Sequence, residues 1–131
     1  MLKWFLIFVL GLFHVGCRDA HSGSGWSDDY IENLSKGDCK GIASSDKNYC
    51  TTGDCKGIAS GNASYCQTAD CKGVAKKNKS YCSSSLCKAW SSDNYNYCSS
   101  SDCKGITRKD KNYCSSSQCK AIASGDKNYC Q

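Results

Sequence analysis

Apolar positions along the chain follow two unlike patterns. From Trp4 to Val15 they run almost unbroken behind the single charge of Lys3. From Ser35 to Cys130 they recur inside a polar frame with a period of 16 residues. In register, six tandem repeats span 35–50, 51–66, 67–82, 83–98, 99–114 and 115–130, each of the form x-x-x-x-C-K-x-x-x-x-x-[DN]-x-x-Y-C. Cys39, Ile42 and Ala43 in one copy, and Cys103, Ile106 and Thr107 in another, stand at i, i+3 and i+4 and so share one helical face. Ser or Thr opens five of the six repeats, and in three of them Asp follows three residues later (Ser35/Asp38, Thr51/Asp54, Ser99/Asp102), a weak capping box. Gly61 and Gly125 mark helix ends. Asp46, Asn62, Asn78, Asn94, Asp110 and Asp126 then form a column of second N-caps, each opening one more turn that carries Tyr and Cys. The pattern predicts an all-α fold, a small disulfide-stapled solenoid whose unit is a short helix plus a helical turn. A β-solenoid is the alternative, but it calls for period-two alternation rich in Val, Ile and Thr, which the repeats lack.

Composition says what must hold such a chain. Beyond Cys17 there is no Phe, Met or Pro, and the only Trp residues are Trp26 and Trp90. One Ile-like residue and one Tyr per repeat make no ordinary core, so the 12 repeat cysteines of the 13 in the chain are read as a disulfide scaffold. Pairing within each repeat, Cys39–Cys50, Cys55–Cys66, Cys71–Cys82, Cys87–Cys98, Cys103–Cys114 and Cys119–Cys130, uses every repeat cysteine. Pairing across the junctions, Cys50–Cys55 and its equivalents, strands Cys39 and Cys130. Within-repeat pairing is therefore the expectation. Metal binding is set aside, because the repeats contain no His and their cysteines alternate C-x4-C with C-x10-C. No cofactor and no catalytic constellation is expected: the only Glu and His beyond Cys17, Glu32 and His21, both precede the repeats.

Residues 1–16 have the charged-then-apolar order of an export signal, too short for a comfortable membrane span. The segment His14-Val15-Gly16-Cys17 resembles the lipobox of bacterial lipoproteins, with Val15 and Gly16 in the two positions before the cysteine and His14 where Leu is usual. The resemblance implies cleavage before Cys17, lipidation of its thiol and membrane anchoring at the bacterial envelope or surface. Ordinary cleavage after Cys17 or Ala20 and secretion as a soluble chain is the alternative. Residues 17–34 then hold the lipid attachment site, a flexible Ser/Gly tether and a candidate cap over the first repeat.

Charge suggests a partner. Residues 35–130 hold 15 Lys and Arg against 8 Asp, a net of +7. A solenoid aligns Lys40, Lys56, Lys72, Lys88, Lys104 and Lys120 as a ladder, joined by Lys47, Lys79, Lys111 and Lys127. Beside it run Tyr49, Tyr65, Tyr81, Tyr97, Tyr113 and Tyr129. The leading expectation is a non-enzymatic envelope or secreted binding module whose Lys/Tyr face takes a polyanionic or glycan partner. The blander reading of these columns is a solvated face and rings that pack over disulfides. A structural or self-assembling envelope protein is the second expectation, because the sixth repeat ends at Gln131 with no polar cap against end-to-end association. A secreted toxin or inhibitor is the third. No small-molecule substrate is inferred.

Overall fold

A computed structural model describes residues 25–131; residues 1–16, expected to be an export signal, Cys17 and most of the expected tether lie outside the described residues. Six short helices alternate with six single 3-10 turns, and no strand occurs among the described residues. The helices are α1 (Lys36–Ser44), α2 (Gly53–Ser60), α3 (Ala69–Lys76), α4 (Ser85–Ser92), α5 (Ser101–Arg108) and α6 (Ser117–Ser124). Their 3-10 turns open on the expected Asp/Asn column, whose side chains accept from the backbone N–H two residues on, as Asp46 does from Asn48 at 2.9 Å. No helix among the described residues is long and apolar enough to cross a membrane.

The repeats do not form an open rod. Each helix packs on the next, and α6 packs on α1 in the same way. The chain is a closed ring of six units, with the helices forming the inner wall and the 3-10 turns, none of whose residues is buried, lying outside. Closure corrects the cysteine pairing. Five disulfides span junctions, Cys50–Cys55, Cys66–Cys71, Cys82–Cys87, Cys98–Cys103 and Cys114–Cys119, each separated by 5 residues. The two cysteines that junction pairing strands in a rod, Cys39 and Cys130, meet across 91 residues and make the sixth bond. None of the within-repeat pairs Cys39–Cys50, Cys55–Cys66, Cys71–Cys82, Cys87–Cys98, Cys103–Cys114 and Cys119–Cys130 is formed. The helix-borne cysteine faces back toward the preceding unit, while the cysteine after the 3-10 turn already lies against the following one.

The glycine after Cys-Lys records this arrangement. A Cβ at Gly41 would overlap the sulfurs of both Cys50 and Cys55, and Gly57, Gly73 and Gly105 are hemmed in equivalently. Ala89 and Ala121 stand at this place in the other two units, fully buried, so a methyl is the largest group found there.

The helix caps also differ from expectation beyond the first unit. Ser35 caps α1, but Thr52, Thr68, Ser84, Ser100 and Ser116 cap the others, one position later than the repeat's first residue. The reason lies in the Asp column, which does not reach back to its own cap. Asp38 accepts from the backbone N–H of Thr51 at 2.6 Å and from the hydroxyl of Thr52 at 2.8 Å, and so clasps the next unit. Asp54 and Asp102 do the same for the units after them, while Asp70 takes only backbone N–H groups from the next unit, those of Ser83 and Ser84. Two units depart from this column. Gln118 donates to the carbonyl of Leu34, a partner that needs an N–H donor and not a carboxylate. Leu86 joins the apolar cluster, and its junction receives Asp28 from the N-terminal segment instead, which accepts from the Ser99 hydroxyl at 2.7 Å.

That segment, residues 25–34, is more than a cap on the first unit. Trp26 N donates to Asp70 Oδ2 at 2.8 Å, Gly25 approaches Ser84, Asp28 reaches Ser99, and Leu34 meets Gln118. These partners belong to four different units and all lie at helix N-termini. The segment therefore plugs the N-terminal mouth of the ring, burying Ile31 to 1% and Leu34 to 9% exposure among Ile42, Leu86 and Ile106. Trp26 stacks on Tyr30 with centroids 4.4 Å apart. The Tyr30 hydroxyl is held neutral far into alkaline pH by burial and by the nearby carboxylates of Asp54, Asp38 and Asp70.

Helix ends expose one local strain. All six helices stop on a left-handed residue, yet only Gly61 and Gly125 are glycine; Ser45, Lys77, Asp93 and Lys109 adopt φ of 52–55°. The left-handed region costs a side-chain-bearing residue about 1–2 kcal/mol, part of which glycine returns through a more mobile unfolded chain. Ser45→Gly is expected to stabilise the ring by about 0.5–1 kcal/mol net. Chemical denaturation of the two proteins compares them directly, and a lower midpoint for the glycine variant would contradict the expectation.

Candidate polyanion-binding belt

In four of the six units the turn that follows the Asp/Asn cap sets Lys and Tyr two residues apart on the outside of the ring. Lys47 Nζ donates to Tyr65 Oη at 3.1 Å, Lys79 to Tyr97 at 2.9 Å, and Lys111 to Tyr129 at 2.8 Å, each reaching from one unit to the next. Lys127 reaches Tyr49 at 2.8 Å, so the same bond crosses the closure junction. In all four pairs the ammonium also stands over the ring, 4.7–5.2 Å from its centroid. Such contacts at exposed sites are worth about 0.5–1 kcal/mol each.

Two units lack the turn lysine, carrying Ala63 and Tyr95 in its place. There the sequence supplies a cation by another route. Lys76 covers Tyr81, and Arg108 lies between Tyr95 and Tyr113 at 4.5 and 4.9 Å. In the other four units the position of Lys76 and Arg108 is Ser, as Ser44, Ser60, Ser92 and Ser124, whose hydroxyls bond back to their own helix. Every tyrosine of the belt thus carries one cation, placed by one of two routes. Sequence reading passed over Lys76 and Arg108, although the exchange of Lys for Ala or Tyr in one column and of Ser for Lys or Arg in the other was a legible signal.

The lysines after the first cysteines lie on the outer side of the helices beside these pairs. Lys56 borders a shallow groove with Lys47, Asn48, Cys50 and Tyr65, and Lys120 an equivalent one with Lys111 and Tyr129. Lys72 and Lys76 border a third with Tyr81. Lys40, Lys88 and Lys104 occupy the same repeat position. The structure therefore brings members of the two predicted columns together at three junctions, with two cations in each of these grooves. It does not leave the tyrosines bare: Tyr49, Tyr65, Tyr81, Tyr97 and Tyr113 are all 37–41% exposed, with one face under a cation.

In two pairs the contact lowers the tyrosine, Tyr65 beside Lys47 and Tyr97 beside Lys79, first through the hydrogen bond and then through the lysine charge. In the other two it raises the lysine, Lys111 beside Tyr129 and Lys127 beside Tyr49. Meanwhile Asp38, Asp54, Asp70 and Asp102 are buried in the junction clasps and none of them lines a groove, whereas the cap carboxylates Asp126 and Asp46 stay near Lys111 and Lys127. Each of these carboxylates also lies close to two cysteine sulfurs, Asp38 to Cys50 and Cys55 for example, but those sulfurs are bonded to each other and are not free thiolate ligands.

Compared with protein-family models, curated proteins and solved structures, the chain matches none of them.

Proposed function

We propose that this chain is a non-enzymatic, disulfide-locked ring that binds a linear polyanion along its outer belt. The observation that carries the reading is the recurrence of a two-cation groove at three junctions of the ring while the clasp carboxylates turn inward. A repeating anion is matched by a repeating cation at fixed spacing, and the pre-formed ring loses little entropy on binding. The polyanionic partner is favoured over a glycan because a cation already covers one face of each tyrosine. The lipobox-like start supports display at a bacterial envelope through lipid on Cys17, with the Ser/Gly tether holding the ring off the membrane. End-to-end assembly loses its motive, since the sixth unit is covered by the first.

Chromatography on a sulfated polysaccharide tests the reading. The oxidised protein is expected to be retained at low salt and released by salt. The triple variant Lys56→Gln, Lys72→Gln, Lys120→Gln is expected to flatten the slope of log affinity against log salt by about 2–3, from roughly 0.7–0.9 per neutralised anion. Absence of retention at low salt, or an unchanged slope in the variant, would remove the proposal.

A further inference from the structure

The ring has two mouths, and among the described residues the chain closes one of them. At the C-terminal ends of the helices a cavity of about 270 Å³ remains. Ile42, Ile58, Val74, Trp90 and Ile122, the same repeat position in five different units, form its walls. Its rim includes the left-handed residues Ser45, Gly61 and Lys77, which fixes its place at the helix ends opposite the plug. Ile58, Trp90 and Ile122 are only partly buried, although the plug covers the apolar cluster from the other side.

We infer that this cup binds the alkyl chain of a single-chain carboxylate, a site separate from the outer belt and independent of it. Size sets the chain length. A dry apolar cavity of about 150 Å³ accepts benzene, with its six carbons, so the cup corresponds to roughly ten. The head group is chosen by the rim. The N–H groups of Ser45, Gly61, Lys77 and Lys109 bond to carbonyls near the ends of α1, α2, α3 and α5, as Ser45 does to Gly41 and Ile42, which satisfies some of the terminal acceptors of those helices. Lys77 is the only charged residue among those bordering the cavity, while Lys109 and Asp93, of opposite charge, take the equivalent position in two other units. A carboxylate left at the rim meets Lys77, while its chain replaces water against the aliphatic walls.

The test is calorimetric titration of the oxidised protein with unbranched carboxylates of six to twelve carbons, below micelle formation, together with the Trp90 indole N–H resonance as a local reporter. Dissociation constants are expected to fall about three- to fourfold per methylene, from the transfer free energy of a buried CH₂, and to level off near ten carbons. The primary alcohol of equal length should bind more weakly, and the alkylammonium more weakly still. Lys77→Gln, an exposed change that leaves the core intact, should weaken the carboxylate and spare the alcohol. Ile58→Trp, checked for retained helicity, should fill the cup and abolish both. No heat and no indole shift with any chain, affinity independent of chain length, tighter binding of the ammonium, or an unaltered Ile58→Trp variant would each overturn the inference.

Discussion

Removing the closure bond by Cys39→Ala with Cys130→Ala is expected to lower stability by about 4–5 kcal/mol, while removing a junction bond by Cys66→Ala with Cys71→Ala costs about 2 kcal/mol. The contrast follows from loop length alone. Both bonds join a helix-borne cysteine to the cysteine after a 3-10 turn, with Cα atoms 5.8 and 5.5 Å apart, but they close loops of 91 and 5 residues. The entropy removed from the unfolded chain grows with the logarithm of that length. At about 4–8 °C per kcal/mol for a domain of this size, the closure variant should melt roughly 20 °C or more below the parent. Thermal melts without reductant measure both, and equal losses would sink the account. The pairing has its own check in a non-reducing tryptic digest of the denatured protein with free thiols blocked. Peptide 37–40, which carries Cys39, is expected to be linked to 128–131, which carries Cys130. Peptide 48–56 should hold Cys50 and Cys55 in an internal bond. A link between 37–40 and 48–56 would restore within-repeat pairing.

Asp70→Asn is expected to cost about 2–3 kcal/mol, the range for losing a hydrogen bond to a charged group and leaving a buried donor unmatched. Asp70 is 1% exposed, and its two oxygens accept only backbone N–H groups, from Ser83, Ser84 and Trp26. An amide at this site must turn its NH₂ toward one of those fixed donors. Asp38→Asn should cost less, because one Asp38 oxygen receives the Thr52 hydroxyl, which can rotate and accept instead. The larger loss should come with faster hydrogen exchange at Trp26 N–H, since that bond moors the plug. Equal costs at the two sites, with unchanged exchange at Trp26, would mean that the plug is held by its apolar contacts alone.

Much of the local structure was legible because its causes are local. The Asp/Asn column caps the 3-10 turns as the sequence indicates, since an Asx side chain needs only its own backbone two residues on. Spacing at i, i+3 and i+4 placed Ile42 and Ile106 on the buried face of their helices. The alignment of lysine and tyrosine columns was also legible, because a fixed period forces equivalent residues into register. The repeated Asp was misread as part of its own capping box, because its true partner lies 13–14 residues ahead in the next unit. The N-terminal segment was read as covering the first unit, and only the meeting of distant units shows that it spans the mouth.

The sequence by itself determined the period, the all-α unit and the dependence on sulfur, because these follow from short-range backbone preference and from a chain with too little apolar bulk for a core. Tertiary structure alone decided the topology. Whether six equal units make a rod or a circle depends on the small rotation between neighbours, which accumulates around the chain and leaves no mark on any single repeat. Here the six junctions together complete a circle, which brings Cys130 to Cys39 and Lys127 to Tyr49. That single geometric fact selects junction pairing, sets the sixth unit against the first, and creates a lumen of which residues 25–34 plug one mouth.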